Sequence, residues 1–194
     1  MLQTSKLCCE RDRRLLFEDL TFTVAPGEIL RIEGSNGSGK TTLLRILCGL
    51  YQDYTGEVEW NLEDYPLFIG HRPGVKDLLT AKENLRWLAN LYQSDASHEE
   101  IGAALADVGL RGFEDVPCGA LSEGQRKRVN LARLYLLQSP AWVLDEPFSS
   151  IDVEGVDKLQ GAMSRHLDRG GMILLTSHQH LELDKEVKSI RLGR

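Results

Sequence analysis

The sequence predicts an α/β protein with a mostly parallel sheet. Two observations indicate this class: apolar runs typical of buried strands alternate with helical patterns, and a glycine-rich segment stands between one such strand and one such helix. With 194 residues, the chain has the usual length of one domain, and it contains no internal repeat or low-complexity linker. We therefore predict a single domain over 1–194.

The strands follow from short apolar stretches bounded by turn residues, and the helices follow from apolar residues at helical spacing. Strands are predicted at 15–24, 29–32, 142–144 and 172–176. Helices are predicted at 41–50, 80–92, 98–108, 124–138 and 153–167. The first helix is expected to end at Gly49 or beyond, and Ser97 is expected to cap the third. Because the pattern over 80–137 is helical, we expect a helical subdomain there, inserted in the sheet domain.

Composition and charge argue against several classes of function. The formal net charge is −6, whereas nucleic-acid binding depends on clustered Lys and Arg, so we expect no nucleic-acid partner. The sequence has no run of about 18 apolar residues and no signal-peptide core, so we expect any membrane work to be done through a partner. The four cysteines have neither C-x-x-C spacing nor histidines at zinc spacing, which predicts free thiols in a reducing cytoplasm.

The glycine-rich segment 34–41 reads GSNGSGKT and matches the phosphate-binding pattern G-x-x-x-x-G-K-[ST]. Glycine lets the backbone approach phosphates closely, so that N–H groups and the following helix N-terminus face negative charge. Lys40 is expected to reach the β- and γ-phosphates and to act in catalysis, and the Thr41 hydroxyl is expected to hold Mg²⁺. A plain glycine-rich turn is the alternative. The predicted nucleotide contacts are Gly34, Ser35, Asn36, Gly37, Ser38, Gly39, Lys40, Thr41 and Thr42.

Two adjacent carboxylates, Asp145 and Glu146, follow the apolar strand predicted at 142–144. One strand tip thus presents two acids to one site. We expect Asp145 to support Mg²⁺ and Glu146 to polarise or deprotonate the attacking water. Such a pair is by itself more often a solvated turn, but the phosphate-binding segment in the same chain favours the catalytic interpretation.

The segment 121–125, LSEGQ, resembles the LSGGQ signature of ABC ATPases, with Glu123 in place of the first signature glycine. The resemblance implies a P-loop NTPase (RecA-like) core with an N-terminal antiparallel β lobe and an inserted helical subdomain near 80–137. It also implies that two copies sandwich ATP and Mg²⁺, and that Ser122, Gly124 and Gln125 contact the nucleotide held by the opposite copy. A helix cap at Ser122 is compatible with that role.

Further motifs of the same family follow in its order. The segment 149–152 resembles the D-loop, and His178 resembles the H-switch that contacts the γ-phosphate. Two positions depart from the family pattern. His71 stands at the Q-loop glutamine, for which the resemblance implies a Mg²⁺-sphere ligand, and Arg11 stands near the aromatic A-loop position that stacks on adenine. A guanidinium also stacks on a base, although a surface charge run is the alternative for Arg11. The resemblance assigns catalysis to Lys40, Glu146 and His178, and metal binding to Thr41, Asp145 and His71.

Sequence strings at 9–12, 34–37, 69–74, 112–115 and 145–148 resemble the cytochrome c maturation, or heme exporter, ATPases within this family. That resemblance implies a homodimeric ATPase that is peripheral on the cytoplasmic side of a bacterial inner membrane. Its implied partners are a CcmB-like integral membrane transporter subunit and a CcmC-like heme-handling membrane protein. ATP is expected to drive heme export or release of a heme-loaded chaperone, and no direct heme binding is expected. Another transported cargo and iron–sulfur cluster assembly are the alternatives.

Overall fold

The computed structural model describes residues 1–179 and 181–193, which form two compact units. The first unit consists of Met1–Phe68, Ser139–Pro147 and the described part of Met163–Arg194. The second unit consists of Ile69–Gln138 and Phe148–Ala162. Each unit has an apolar core of its own.

Strands and helices alternate along much of the chain. The strands are β1 (Leu2–Arg11), β2 (Arg14–Val24), β3 (Ile29–Glu33), β4 (Thr55–Trp60), β5 (Leu67–Ile69), β6 (Ala141–Asp145), β7 (Met172–Thr176) and β8 (Val187–Arg191). The helices are α1 (Lys40–Leu47), α2 (Ala81–Leu91), α3 (His98–Asp107), α4 (Glu123–Leu131), α5 (Arg133–Leu136) and α6 (Val153–Asp168). The predicted α/β class is confirmed.

An antiparallel sheet in the first unit has the strand order β2-β1-β4. Leu2 on β1 pairs with Val24 on β2 and with Trp60 on β4, and both pairings are antiparallel. Leu2, Thr4, Leu7 and Cys9 on β1 are buried, whereas the other residues between Leu2 and Cys9 are exposed or half-buried, close to the alternation expected of a sheet with one solvated face. The N-terminal antiparallel lobe is therefore present as expected.

The second sheet of the first unit has the strand order β5-β6-β7-β3-β8. β3 pairs in parallel with β7 and β8, and β6 pairs in parallel with β7. Every residue of β6 and β7 is buried, which explains why both strands are unbroken apolar runs in the sequence. The carboxyl ends of β3, β6, β7 and β8 lie along one edge, and open parallel sheets bind their ligands at that edge.

The strand that carries the acidic pair, β6, is supported by an aromatic stack. The rings of Trp142 on β6 and His166 on α6 lie 4.0 Å apart between centroids, with planes 7° apart. Burial lowers the pKa of His166 to about 4, so the ring stacks as a neutral group at neutral pH. A Cβ on Gly171 would lie 2.3 Å from His166 Nε2. Glycine is therefore required where the chain passes this ring before β7.

Helix α1 is shorter than predicted, since it ends at Leu47 rather than at Gly49 or beyond. Gly49 has φ +69°, a left-handed conformation that glycine adopts without strain. Its N–H donates to Ile46 O at 3.0 Å, and the Leu50 N–H donates to Arg45 O at 2.8 Å. These two hydrogen bonds form a Schellman motif, which ends the helix.

The helix predicted at 124–138 is two helices, α4 and α5, which are separated at Ala132. Ala132 has ψ −22°, typical of a tight 3₁₀ turn, and the Tyr135 N–H donates to the Ala132 carbonyl oxygen at 3.1 Å. Leu137 after α5 is extended, with ψ 133°, and buried. The prediction of one helix to residue 138 is therefore wrong, because the backbone tightens at Ala132 and leaves the helix at Leu137.

The other predicted strands and helices are confirmed within one residue at each end. The sequence patterns did not predict β1, β4, β5 and β8. β5 has only three residues, and β4 and β8 carry charged residues on largely exposed positions. Their apolar signal is therefore too short or too interrupted to identify a strand, and only pairing with neighbouring strands reveals them.

The second unit contains three helices that begin with a capping box, at Thr80, Ser97 and Ser122. In each box, the hydroxyl accepts an N–H from the third helical residue, whose side chain accepts the N–H of the cap in return. The cap predicted at Ser97 is confirmed. Residues buried in the core of this unit include Ala81, Leu85, Ile101, Leu105 and Val129. The extent of a helical subdomain at 80–137 stays a prediction.

The cysteines and the lengths of the helices complete the description of the fold. Cys8, Cys9, Cys48 and Cys118 are free thiols, and burial raises the pKa of Cys48 to about 12. Throughout 1–179 and 181–193, every helix is too short or too polar to cross a bilayer.

Candidate nucleotide site

Polar side chains meet at the carboxyl edge of the parallel sheet, where β6 and β7 end. Thr41 Oγ1 donates to Asp145 Oδ2 at 2.8 Å, and Thr176 Oγ1 donates to Asp145 Oδ1 at 2.9 Å. The hydroxyl of Thr176 also accepts the Glu146 N–H at 2.9 Å. Asp145 is 2% exposed. Its two carboxylate oxygens are therefore both engaged, and one of them faces the hydroxyl of the phosphate-binding segment.

The segment 34–41, called the phosphate loop below, joins β3 to α1 on a backbone that requires glycine. Gly34, Gly37 and Gly39 have φ values of +147°, +78° and +99°, which residues with a side chain rarely adopt. A Cβ on Gly34 would lie 2.5 Å from Ser38 Oγ and 2.6 Å from the Leu192 carbonyl oxygen. No other residue fits at Gly34 without displacing these atoms, so the loop keeps a bare backbone.

The N-terminus of α1 is left open for an anion. Its cap residue, Gly39, provides no side-chain hydrogen bond, and no acidic residue lies in the first turn. The first helical N–H groups have no acceptor within the helix, and the helix dipole favours an anion at this position. Lys40 Nζ donates to the carbonyl oxygens of Gly34 at 2.8 Å and Ser35 at 3.2 Å. The ammonium is thus held over the same loop.

Glu146 and His178 lie together at the ends of β6 and β7. Glu146 has φ +51°, and a left-handed backbone costs a residue with a side chain about 1 kcal/mol or more. Its Oε1 lies 3.5 Å from His178 Nε2. The Glu146 side chain is 22% exposed and the His178 side chain is 65% exposed, and Glu146 Oε1 itself is buried. Strained backbone is typical of functional positions, and here it accompanies a carboxylate and an imidazole that lie side by side.

A cavity of about 520 Å³ opens beside the phosphate loop. Lys40, Arg31 and Arg191 bring three cationic groups to its lining, and Glu33 brings one carboxylate. Arg31 pairs with Glu33, and Arg191 Nη2 lies 4.0 Å from Glu33 Oε2. The rest of the lining consists of Ile32, Gly34, Ser35, Ser177, His178, Leu192 and Gly193. The lining has a net positive charge, which favours an anionic ligand.

Two polar residues of this site are not singled out by the sequence patterns. Arg14, exposed at the start of β2, places Nη1 3.7 Å from the position of a Cβ on Gly37, so it adds positive charge beside the phosphate loop. In the sequence it belongs to the charged run 10–14 and looks like surface charge. The other residue is Thr176, whose only sequence signal is a hydroxyl at the end of an apolar strand.

Ser122, Gly124 and Gln125 lie in the second unit at the start of α4. Ser122 Oγ accepts the Gln125 N–H at 3.2 Å, and Gln125 Oε1 accepts the Ser122 N–H at 2.9 Å. Both side chains thus take part in a helix cap, which confirms that interpretation of Ser122. Their contact with a nucleotide on an opposite copy stays a prediction.

Arg11 and His71 occupy the two positions that depart from the family pattern. Arg11 ends β1, is exposed, and has its Nε 3.5 Å from Asp12 Oδ2. His71 is exposed in the second unit. Within the part of the chain that the structure describes, no three or more His, Cys, Asp or Glu side chains cluster to hold a metal ion. Adenine stacking by Arg11 and metal contact by His71 stay predictions.

Comparison with known protein families identifies the class of protein to which this chain belongs. The ABC transporter family matches residues 17–149, a span that contains the phosphate loop, the segment 121–125 and the acidic pair. The chain belongs to the ABC transporter family. Within that family it is an ATP-binding, ATP-hydrolysing subunit.

Solved structures share this fold. A putative ABC transporter ATP-binding protein from Pyrococcus furiosus has a TM-score of 0.84 and 26% identity, covering 98% of this chain and 96% of that chain. A dimeric ATP-binding cassette in a post-hydrolysis state, bound to ADP and Pi, has a TM-score of 0.80 and 23% identity, covering 92% and 88%. The second likeness concerns the fold alone.

Curated relatives are more similar in sequence. Cytochrome c biogenesis ATP-binding export protein CcmA from Pseudomonas putida (strain GB-1) is 52% identical over 191 residues, covering 93% of this chain and 90% of the relative. The protein of the same name from Vibrio vulnificus (strain YJ016) is 47% identical over 204 aligned residues, covering 100% of both chains. The resemblance to the cytochrome c maturation ATPases is therefore confirmed.

Proposed function

We propose that this chain is the ATPase subunit of an ABC complex in c-type cytochrome biogenesis, where ATP drives heme export or release of a heme-loaded chaperone. The observation that carries the proposal is the 52% identity to a protein named CcmA over 191 residues. Identity over this length includes surfaces outside the ATPase motifs, and such surfaces distinguish partners and cargo within an ATPase family. The carboxyl-edge site supplies the groups that hydrolysis needs.

Thr41 and Asp145 are the proposed protein ligands of Mg²⁺. A hydroxyl and a carboxylate are oxygen donors of the kind that Mg²⁺ prefers, and their 2.8 Å contact brings the two oxygens together beside the phosphate loop. When bound there, Mg²⁺ would supply positive charge that offsets the negative charge of the phosphates. Thr176 holds the second oxygen of Asp145 at 2.9 Å, which keeps the carboxylate oriented. His71 is also a proposed Mg²⁺-sphere ligand.

Glu146 is the proposed general base for the attacking water. Its Oε1 lies 3.5 Å from His178 Nε2, so the imidazole restricts the orientation of the carboxylate. His178 is proposed to contact the γ-phosphate, and Lys40 to exchange the carbonyl oxygens of Gly34 and Ser35 for phosphate oxygens. Proton removal by a positioned carboxylate accounts for a rate factor of about 10²–10⁴.

A homodimer is the proposed active form. The solved cassette bound to ADP and Pi is dimeric, and Ser122, Gly124 and Gln125 are proposed to contact the nucleotide on the opposite copy. The α4 N-terminus at these residues offers N–H groups and a favourable dipole to a γ-phosphate. Arg11 is proposed to stack on adenine.

The membrane partners are proposed to dock on the second unit. Leu78 is 95% exposed, Leu91 is 60% exposed and Trp87 is 38% exposed. Trp87 and Leu91 lie one turn apart on α2, so their side chains are neighbours. Contiguous exposed apolar patches mark interaction surfaces, and the Trp87–Leu91 pair is the start of such a patch on this unit. A CcmB-like transporter subunit is the proposed occupant, beside a CcmC-like heme-handling protein. The proposed location of the chain is then the cytoplasmic side of the inner membrane. No direct binding of heme or nucleic acid is proposed.

Lys40→Ala tests the function in cells. In a strain lacking its own copy of this gene, the parental chain should restore c-type cytochromes with covalently bound heme, and Lys40→Ala should not, because the phosphates lose their ammonium partner. Heme staining of membrane proteins and ATPase assays of the purified complex measure the two effects. Lys185→Ala, which removes an exposed partner of Asp168, should behave as the parent. Loss of ATPase activity with normal cytochromes would point to another cargo.

Arg14→Gln tests the additional charge beside the phosphate loop. We expect KM for ATP to rise about fivefold, equivalent to ~1 kcal/mol for an exposed charge, with little change in kcat. Steady-state hydrolysis over a series of ATP concentrations measures both constants. Arg45→Gln removes an equally exposed charge from the other end of α1 and should leave KM unchanged. Equal KM values for Arg14→Gln and the parent would exclude Arg14 from ATP binding.

A further inference from the structure

A loop and a helix of the second unit are packed closely together. The loop is Ser149–Asp152, which resembles the D-loop, and the helix is α4, which begins at the signature segment. Both belong to the second compact unit, whereas Asp145 and Glu146, just before the loop in sequence, belong to the first. Within the second unit, the loop therefore has α4 as a structural neighbour.

The backbones of the loop and the helix approach each other at Gly124. A Cβ on Gly124 would lie 2.7 Å from the Ser150 carbonyl oxygen, so a side chain at this position would push the loop away. Ser150 has φ +63°, a left-handed conformation that is uncommon for serine. The second signature glycine is therefore required for packing inside one chain, in addition to its proposed contact with nucleotide.

Lys127 holds the same loop through its side chain. It lies on α4 and is 4% exposed, and its Nζ donates to Ser149 Oγ. The next residue of α4, Arg128, places Nη1 3.8 Å from Asp152 Oδ2. An ammonium is costly to bury unless it is well hydrogen-bonded, and an apolar side chain of the same length would avoid that cost. We therefore expect the buried cation to contribute to the position of the loop rather than to the free energy of unfolding.

We propose that Lys127 is a positioning residue that fixes the 149–152 loop on α4. The loop in turn keeps the start of α4, and with it the signature segment, in one arrangement toward the nucleotide on the opposite copy. This inference rests on the proposed dimer, in which the signature segment acts on the partner's ATP. Lys40, Thr41 and Asp145 lie in the first unit, so a chain that loses the Lys127 contact keeps its own phosphate loop intact.

Lys127→Met and Lys127→Arg test this role. For Lys127→Met we expect unchanged affinity for a fluorescent ATP analogue, nearly unchanged KM, and kcat lowered about 10-fold or more, because small displacements of catalytic groups have effects of this size. Hydrogen exchange of the 149–152 amides, followed by mass spectrometry, should become faster. Lys127→Arg keeps a charged donor and should recover most of the activity and protection. Lys158→Met changes an exposed lysine of the same unit and should match the parent.

Parental kcat or unchanged exchange at 149–152 in Lys127→Met would overturn the inference. Should Lys127→Met fail to fold, Ser149→Ala removes the acceptor with a smaller change and should lower kcat and speed exchange in the same direction. Both measurements use the purified chain and do not depend on cargo. Normal cytochromes in a strain carrying an inactive chain would therefore count against the proposed function without affecting the role of Lys127.

Discussion

Glu146→Gln is expected to lower ATP turnover by about 10²-fold or more while ATP remains bound. Glutamine keeps the size of the side chain and its ability to hydrogen-bond with His178, which lies 3.5 Å away, but it cannot accept the proton of the attacking water. The groups proposed to bind phosphate and Mg²⁺, Lys40, Thr41 and Asp145, are unchanged. We therefore expect nucleotide affinity to persist and the closed dimer to accumulate with ATP. Single-turnover hydrolysis and size-exclusion chromatography with ATP measure the two effects.

Glu57→Gln is a matched control for this prediction. Glu57 is exposed on β4 in the antiparallel sheet, so its amide variant removes the same charge far from any expected chemistry and should hydrolyse ATP at the parental rate. A parental rate for Glu146→Gln would exclude Glu146 as the base. Weak ATP binding by the same variant would instead assign Glu146 to nucleotide affinity.

Asp145→Asn is expected to reduce Mg²⁺-dependent turnover by about 10²-fold or more, since the metal loses a charged ligand. The two carboxylate oxygens of Asp145 accept hydrogen bonds from the hydroxyls of Thr41 and Thr176. An amide has only one oxygen, so one of the two hydroxyls loses its acceptor and faces an N–H group instead. The variant should need a higher Mg²⁺ concentration for half-maximal activity, and it should bind ATP in EDTA as the parent does. A Mg²⁺ titration of ATPase activity, together with nucleotide binding in EDTA, measures this difference.

Two further variants separate the metal effect from general damage. Asp64→Asn changes an exposed carboxylate in the first unit and should leave the Mg²⁺ titration unchanged. Thr176→Val removes the hydroxyl that orients Asp145 and leaves the Glu146 N–H without its acceptor, so we expect a loss of about 1–3 kcal/mol in the free energy of unfolding. An unchanged Mg²⁺ titration for Asp145→Asn would contradict the proposed ligand.

Local sequence rules were sufficient for the phosphate loop and the acidic pair. Glycines at fixed spacing between a strand and a helix allow a backbone that side chains would block, as Gly34 shows with a Cβ position 2.5 Å from Ser38 Oγ. The acidic pair could be recognised in the sequence because it follows the apolar residues of β6. The helix ends were less predictable. The end of α1 depends on the left-handed Gly49, and the break at Ala132 depends on backbone angles that its sequence neighbours do not indicate.

The sequence by itself determined the class of the fold, most helices, half of the described strands and the motif proposed to bind phosphate, because these depend on short-range spacing and backbone sterics. Only the tertiary structure decided which polar groups meet. Thr41 and Asp145 are 104 positions apart in the chain, and Thr176 reaches Asp145 because β6 and β7 pair in a register that places these two residues side by side. Lys127 and Ser149 meet for the same reason. A buried polar group needs a partner, but the partner is chosen by which strands, loops and helices become neighbours on folding.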